Sequence, residues 1–135
     1  MYIFVNTSNH KHIFIALISK KGDVLIFKKI KAEYQQSEKL LDNIDKILLN
    51  SKKKLQDLTG VICIIGPGGF TSLRIGITTA NTIAWTLNIP IVGIENKEDE
   101  DDLTLIQKSV KLIKTKKQFK QVLPRYGKEP NISKK

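Results

Sequence analysis

Apolar residues along the chain fall into five short runs, each bounded by polar or turn-forming residues. The runs cover residues 2–5, 13–18, 24–30, 61–65 and 90–94. They are rich in Ile, Val and Phe, which are the β-branched and aromatic residues that favour strands. Short polar segments at residues 6–10 and 19–23 separate the first three runs, so these three are predicted to form an antiparallel meander.

Two helices are predicted between the later strands. The first opens at Ser37 and Glu38, and its apolar residues repeat at helical spacing with polar residues opposite. Its predicted buried residues are Leu40, Leu41, Ile44, Ile47 and Leu48. Leu49 falls on the polar side, which indicates a contact beyond the core of the domain.

The second predicted helix has no charged residue from position 75 to position 87. One side of it carries the apolar stripe that should face the sheet, made of Leu73, Ile77, Ala80, Ala84 and Leu87. The opposite side is neutral, although the outer faces of surface helices are normally charged. We therefore expect a second subunit to cover this side, which together with Leu49 is called the uncharged face. Its predicted interface residues are Leu49, Ile75, Thr78, Thr82, Trp85 and Thr86.

The element order β-β-β-α-β-α-β predicts an α/β fold with one mixed five-stranded sheet. A chain of 135 residues is long enough for one domain with a core of its own. The single cysteine, Cys63, lies inside an apolar run and is predicted to be a buried thiol without a disulfide partner. No apolar run is long enough to span a membrane, and no leader pattern precedes the first strand. We therefore expect a cytoplasmic protein without a membrane partner.

A glycine turn (residues 66–69) joins the fourth strand to the second helix. Such a turn aims backbone N–H groups into a small space, where they bind an anion or pack against another backbone. No lysine follows the last glycine, and Thr71 stands where a dinucleotide fingerprint has its third glycine, so neither phosphate-binding motif is present. The polar residues Thr7, Ser8, Thr71 and Ser72 are interpreted as caps and turn formers, with Thr71 and Ser72 as helix N-caps.

The glycine turn and the helix start that follows it resemble a known family. The sequence GPGGFTSLRIG at residues 66–76 is similar to the GPGSFTGLRIG motif of the TsaB (YeaZ) family and differs from it at two positions. The residues that carry the likeness are Gly66, Pro67, Gly68, Gly69, Phe70, Thr71, Ser72, Leu73, Arg74 and Gly76. The resemblance implies a single actin-like ATPase (RNase H-like) lobe. It also implies a non-catalytic subunit of the machinery that makes N6-threonylcarbamoyladenosine at position 37 of tRNA (t6A37).

The resemblance further implies the partners and cofactors. The chain should form a heterodimer with a TsaD-like threonylcarbamoyltransferase and contact tRNA through the complex. A TsaE-like ATPase is a candidate further partner, and the resemblance leaves both a monomer and a homodimer open for the chain alone. ATP, threonylcarbamoyl-AMP and the metal are expected on the partner enzyme, and no cofactor is expected in this chain. Asn6 stands where actin-like ATPases have a magnesium-binding aspartate, and His10 and His12 lack a third ligand. We therefore predict no catalytic residue and no metal site.

Charge divides the chain unevenly. Residues 1–107 carry 13 basic and 12 acidic residues, whereas residues 108–135 carry 10 basic residues and one acidic residue. A basic tail can bind RNA through its phosphates, so a stand-alone RNA-binding module is the alternative function. A minimal nucleotide-binding or phosphotransfer domain built on the glycine turn is a third hypothesis.

Three segments are predicted on this basis. Residues 1–95 form the TsaB-like lobe, residues 96–121 are an acidic and then basic linker in place of the family's second lobe, and residues 122–135 are a basic tail with two prolines. Within the linker, the pattern of residues 103–119 leaves a basic helix and a loose strand as open alternatives.

Overall fold

The structure is a computed structural model that describes residues 1–125, in which five strands and three α-helices form one layered unit. The strands are β1 (Tyr2–Asn6), β2 (His12–Ile18), β3 (Val24–Lys31), β4 (Gly60–Gly66) and β5 (Ile91–Glu95). The helices are α1 (Gln36–Asn50), α2 (Phe70–Leu87) and α3 (Asp102–Ile113), and a short 3₁₀ turn at Leu55–Asp57 precedes β4. The predicted element order is confirmed up to β5, and α3 follows it.

The five strands form one mixed sheet in the order β3-β2-β1-β4-β5. β2 is antiparallel to both β1 and β3, whereas β4 is parallel to both β1 and β5. Every residue of β4 is buried because helices cover both faces of the sheet at this point. This topology confirms the predicted α/β lobe with a mixed five-stranded sheet.

Helices α1 and α2 pack side by side on one face of the sheet. The core on this face includes Leu40 and Ile47 of α1 and Leu73, Ile77 and Ala80 of α2. The prediction that Leu41 belongs to this core is wrong, since its side chain is 54% exposed. The buried stripe of α1 is narrower than the sequence suggests because the sheet contacts only one side of the helix.

Helix α3 covers the opposite face of the sheet, where the sequence predicts a linker. Its buried apolar residues are Leu105, Ile106, Val110 and Ile113, which pack with the outer residues of β1, β2, β4 and β5. The Asp101 carboxylate accepts a hydrogen bond from the Thr104 N–H at 2.8 Å and caps the helix. The acidic residues before α3 therefore lie at the start of a helix. Negative charge near a helix N-terminus stabilises the helix. Residues 102–113 are part of the folded lobe, and the linker prediction is wrong for them.

A C-terminal strap (residues 119–125) follows α3 and crosses to the core on the α1–α2 face, where Phe119 and Val122 pack. The Arg125 N–H donates a hydrogen bond to the Ile65 carbonyl oxygen at 2.7 Å. The predicted basic tail thus begins as part of this strap, and its residues 126–135 lie outside the described residues.

The thiol of Cys63 is completely buried in β4, as predicted, and this burial raises its pKa to about 12. No helix within residues 1–125 is both long enough and apolar enough to cross a membrane.

Candidate functional site

The glycine turn is held by contacts of backbone with backbone. Gly66 has a φ of +144°, and the Gly66–Pro67 peptide bond is cis. A Cβ atom on Gly66 would lie 1.7 Å from the carbonyl oxygen of Arg125 in the strap. A Cβ atom on Gly68 would lie 2.5 Å from the carbonyl oxygen of Ser8, which also accepts a hydrogen bond from the Gly69 N–H at 3.1 Å. Glycine is required here because two other segments of the chain approach so closely.

The start of α2 is clamped to the end of β1 through Thr7. The buried Thr7 Oγ1 donates a hydrogen bond to the Ser72 carbonyl oxygen at 2.6 Å. A Cβ atom on Gly76, one turn further along α2, would lie 2.1 Å from the same Oγ1 atom. Thr7 therefore occupies the space that the absent side chain of Gly76 leaves.

Thr71 and Ser72 are not the N-caps that the sequence predicts. Helix α2 begins at Phe70, its N-cap is Gly69, and no side chain caps it. Ser72 lies within the first turn, where its Oγ donates to the Gly69 carbonyl oxygen at 3.3 Å, and Thr71 is exposed. The hydrogen bond from the Gly69 N–H to Ser8 fixes the path of the chain, so the helix starts at Phe70, two residues before the start that an N-cap at Thr71 would give. The polar groups around the turn bond within the chain, which favours its interpretation as a structural element.

Asn6 lies at the carboxyl end of β1, and it is the neutral residue at the position where actin-like ATPases have a metal-binding aspartate. Its Nδ2 donates to Asp102 Oδ1 at 2.7 Å, and its Oδ1 accepts from the Ser8 N–H at 3.0 Å and from Ser8 Oγ at 2.7 Å. Burial raises the pKa of the Asp102 carboxyl, and the Asn6 hydrogen bond and the charge of Lys29 oppose this effect. The side chain of Asn6 thus joins β1 to the start of α3.

The two histidines lie in different parts of the structure. His10 is exposed in the bend before β2 and lines a groove of about 370 Å³ beside Phe70, whereas His12 is the first residue of β2. Within residues 1–125, no three His, Cys, Asp or Glu side chains lie close enough together to hold a metal ion.

The uncharged face lies on the outer side of α2, away from the sheet, and its one residue on α1 is Leu49, near the end of that helix. Trp85 is 70% exposed and Leu49 is 76% exposed, while Ile75 is partly buried. The three predicted threonines Thr78, Thr82 and Thr86 are exposed as well. The face therefore presents large apolar side chains among neutral hydroxyl groups, and no described segment covers it.

Phe70 and Arg74 extend this face toward the glycine turn. The Arg74 guanidinium carbon lies 5.4 Å from the centre of the Phe70 ring, and the Phe70 side chain is 51% exposed. A groove of about 370 Å³ separates them from α1 and is lined by Ser37, Phe70, Thr71, Arg74, Ile75, Thr78 and Thr79. The motif residues thus serve two purposes, since the glycines set the turn and Phe70 and Arg74 add a ring and a cation to the outer face.

Sequence reasoning did not find the contact that joins α2 to the strap. Asn81 Nδ2 donates to the Val122 carbonyl oxygen at 2.9 Å, and its Oδ1 accepts from the Val122 N–H at 3.0 Å. The one available signal is that Asn81 is an amide among the small and apolar residues of α2.

Comparisons with known proteins identify the family. The family model for TsaD, tRNA N6-adenosine threonylcarbamoyltransferase, matches residues 30–98, which is just over half of the chain. The chain belongs to the TsaD family. Within this family it resembles TsaB (YeaZ), as the motif at the glycine turn predicts.

Two relatives are TsaB proteins, each named as a tRNA threonylcarbamoyladenosine biosynthesis protein. The TsaB of Buchnera aphidicola is 39% identical over 83 residues, which cover 62% of this chain and 39% of that protein. The TsaB of Bacillus subtilis is 33% identical over 95 residues, which cover 70% of this chain and 40% of that protein. The chain thus spans about two fifths of the length of these TsaB relatives.

A transferase and a solved structure are also similar to this chain. The tRNA N6-adenosine threonylcarbamoyltransferase of Vesicomyosocius okutanii is 32% identical over 72 residues, which cover 53% of this chain and 21% of that enzyme. YeaZ from Pseudomonas aeruginosa superimposes with a TM-score of 0.64 at 21% identity, covering 70% of this chain and 43% of that chain. The structural likeness confirms the fold of the TsaB-like lobe.

Proposed function

We propose that the chain is a non-catalytic subunit of the machinery that makes t6A37 in tRNA. In this role it docks to a TsaD-like threonylcarbamoyltransferase through the uncharged face. The observation that carries the proposal is the exposed Trp85 on a helix face without charge, in a chain that belongs to the TsaD family.

The chemistry of this face is that of a protein interface. Tryptophan is enriched among the residues that dominate binding energy, and charged residues are depleted at interface cores. Trp85 and Leu49 expose large apolar side chains, and the exposed threonines of α2 carry hydroxyl groups that can bond to a partner. Arg74 at the edge, stacked on Phe70, suits a carboxylate at the rim of the partner's surface.

The non-catalytic part of the proposal is supported by the carboxyl end of β1. Asn6 is neutral, and both polar atoms of its amide already bond within the chain. We assign ATP, threonylcarbamoyl-AMP and the metal to the partner enzyme. The TsaE-like ATPase, the contact with tRNA through the complex, the homodimer and the cytoplasmic location stay predictions.

Reconstituted tRNA modification tests this role. The TsaD-like enzyme of the same genome is supplied with threonylcarbamoyl-AMP and unmodified tRNA, with and without this chain. We expect product to form faster when the chain is present, and no product from the chain alone. Transfer by the chain alone, or an enzyme rate that the chain leaves unchanged, would contradict the proposal.

A further inference from the structure

The edge strand β3 has no cover on the α3 side of the sheet within residues 1–125. Helix α3 packs on β4 and β5. The outer residues of β3 on this side are exposed, among them Phe27, Lys29 and Lys31. The sheet therefore presents an open face made of β3 and the start of β2, where His12 and Phe14 are partly exposed, on the side opposite to α1 and α2.

Aromatic rings run across this open face from the core to the solvent. The buried ring of Phe4 meets Phe14 edge-on at a centroid distance of 5.9 Å, and Phe14 stacks on Phe27 at 5.5 Å with 17° between the ring planes. Phe27 ends the row and is 56% exposed. The Phe14 ring holds the Phe27 ring in place, and Phe27 presents aromatic surface to the solvent. Exposed rings held in this way can stack with nucleic-acid bases.

Two basic side chains follow the exposed ring along β3. Lys29 lies directly opposite Phe14, and Lys31 lies directly opposite His12 in the β2–β3 register. Directly opposed residues share a face of the sheet, and so do residues two apart along a strand. Phe27, Lys29 and Lys31 thus form one row about 13 Å long. Residues 11–31 contain six lysines and one acidic residue, Asp23, and the Asp102 carboxylate on α3 lies close enough to interact with Lys29, so basic side chains outnumber acidic ones around the row.

We propose that this open face of β2 and β3 binds single-stranded RNA, with a base stacked on Phe27 and the phosphate backbone at Lys29 and Lys31. Aromatic rings interleaved with cations on a sheet surface bind unpaired bases and the adjoining phosphates. Lysine is depleted in protein–protein interfaces, so the same face is poorly suited to a protein partner. The choice of RNA as the nucleic acid rests on the proposed function in tRNA modification.

Fluorescence anisotropy of a fluorescein-labelled 12-nucleotide RNA, titrated with the full chain, tests the proposal. We expect Phe27→Ala to weaken binding at least about fivefold, as loss of one stacked base does. We expect Lys29→Gln with Lys31→Gln to weaken it as well and to reduce the salt dependence, log K against log salt, by about 0.7 per lysine. Both lysines are exposed, so this pair reports on the face even where Phe27→Ala affects folding.

Matched variants separate this face from the other candidate surfaces. Lys53→Gln with Lys54→Gln removes the same charge near the end of α1 and should leave RNA affinity within about twofold. In the Trp85→Glu background, Phe27→Ala should weaken RNA binding as much as it does in the unaltered chain. A failure of protein docking is thereby distinguished from a failure of RNA binding. Lys128→Gln with Lys134→Gln and Lys135→Gln tests the basic tail.

Four results would overturn the proposal. The first is that the full chain does not bind the RNA, and the second is that neither Phe27→Ala nor the Lys29–Lys31 double variant changes the affinity. The third is that only the tail variant abolishes binding, and the fourth is that the chain binds duplex RNA as tightly as single-stranded RNA. If Phe27→Ala instead weakens association with the TsaD-like enzyme and leaves RNA affinity unchanged, the open face is a protein-docking surface and the proposal is wrong.

Discussion

The side-chain amide of Asn81 pairs with both backbone polar groups of Val122, at 2.9 Å and 3.0 Å. This pairing attaches the C-terminal strap to the middle of α2, 41 residues earlier in the chain. Further along the strap, the Arg125 N–H donates a hydrogen bond to the Ile65 carbonyl oxygen, beside the glycine turn. The strap thus ties the end of the described chain to the motif helix.

Replacing Asn81 with Leu should release the strap. The substitution keeps the approximate volume but removes two hydrogen bonds, each of which contributes about 0.5–1.5 kcal/mol to stability. Hydrogen exchange should show faster exchange of the Val122 and Arg125 amides with little change in β1 and β4. Asn50→Leu at the end of α1 is the control, and a strap as well protected in Asn81→Leu as in the control would refute the attachment.

The close approach of Gly76 to Thr7 leads to a second prediction. Ala in place of Gly within a helix is usually stabilising by about 1 kcal/mol. At Gly76 the added Cβ would lie 2.1 Å from Thr7 Oγ1, so Gly76→Ala should instead lower the free energy of unfolding by about 1–3 kcal/mol. Denaturant unfolding measures the change.

The double variant Thr7→Ala with Gly76→Ala tests whether the clash with Thr7 causes the loss of stability in Gly76→Ala. Because Thr7→Ala removes the atom that the new Cβ meets first, the two changes should cost less together than the sum of the single changes. Simple additivity of the two costs would mean that the clash with Thr7 is not the reason.

Asp102 should make stability depend on pH. Its folded-state pKa is raised, chiefly by burial, above the unfolded value of about 3.9, so its protonated form is favoured in the folded state. The stability that Asp102 contributes is therefore present below about pH 3.9 and is lost as the pH rises through the folded pKa. Asp102→Asn keeps an oxygen that can accept the hydrogen bond from Asn6 but does not titrate in this range.

Unfolding of both proteins from pH 3 to pH 7 measures this effect. The stability of Asp102→Asn relative to the unaltered chain should increase with pH above about 4 and then level off. A relative stability that falls over this range would show that Asp102 is held as a carboxylate by its neighbours, contrary to this account.

The sequence predicted the sheet well because each strand is a separate run of β-branched residues. Tyr2–Asn6 and Gly60–Gly66 are bounded by residues that end strands, so their extent required only local information. The uncharged face was also predictable, since Trp85 and the threonines repeat at helical spacing in a stretch without charge. Its exposure in the structure agrees with that pattern, while its role as an interface stays a prediction.

The misses have two physical causes: a local helix cap is hard to recognise within a run of acidic residues, and contacts distant in sequence decide the structure of the glycine turn and the strap. Asp101 begins α3 through a cap, but within an acidic run its side chain looks like one more solvated charge. Thr71 and Ser72 have the side chains of N-caps, yet the contact of the glycine turn with Ser8 places the helix start at Phe70. The pairing of Asn81 with Val122 leaves no periodic pattern that could predict it.

Light scattering on a sizing column tests the central claim, that the uncharged face docks to the TsaD-like enzyme. The chain is run alone and mixed with the enzyme, as the unaltered protein, as Trp85→Glu and as Leu103→Glu. Leu103 is a suitable control because it is exposed in the first turn of α3, where a carboxylate is tolerated.

We expect a stable mixed species with the unaltered chain and with Leu103→Glu. Trp85→Glu should remain folded by circular dichroism and elute separately from the enzyme. A mixed species that survives Trp85→Glu, or an unaltered chain that elutes separately from the enzyme, would contradict the account.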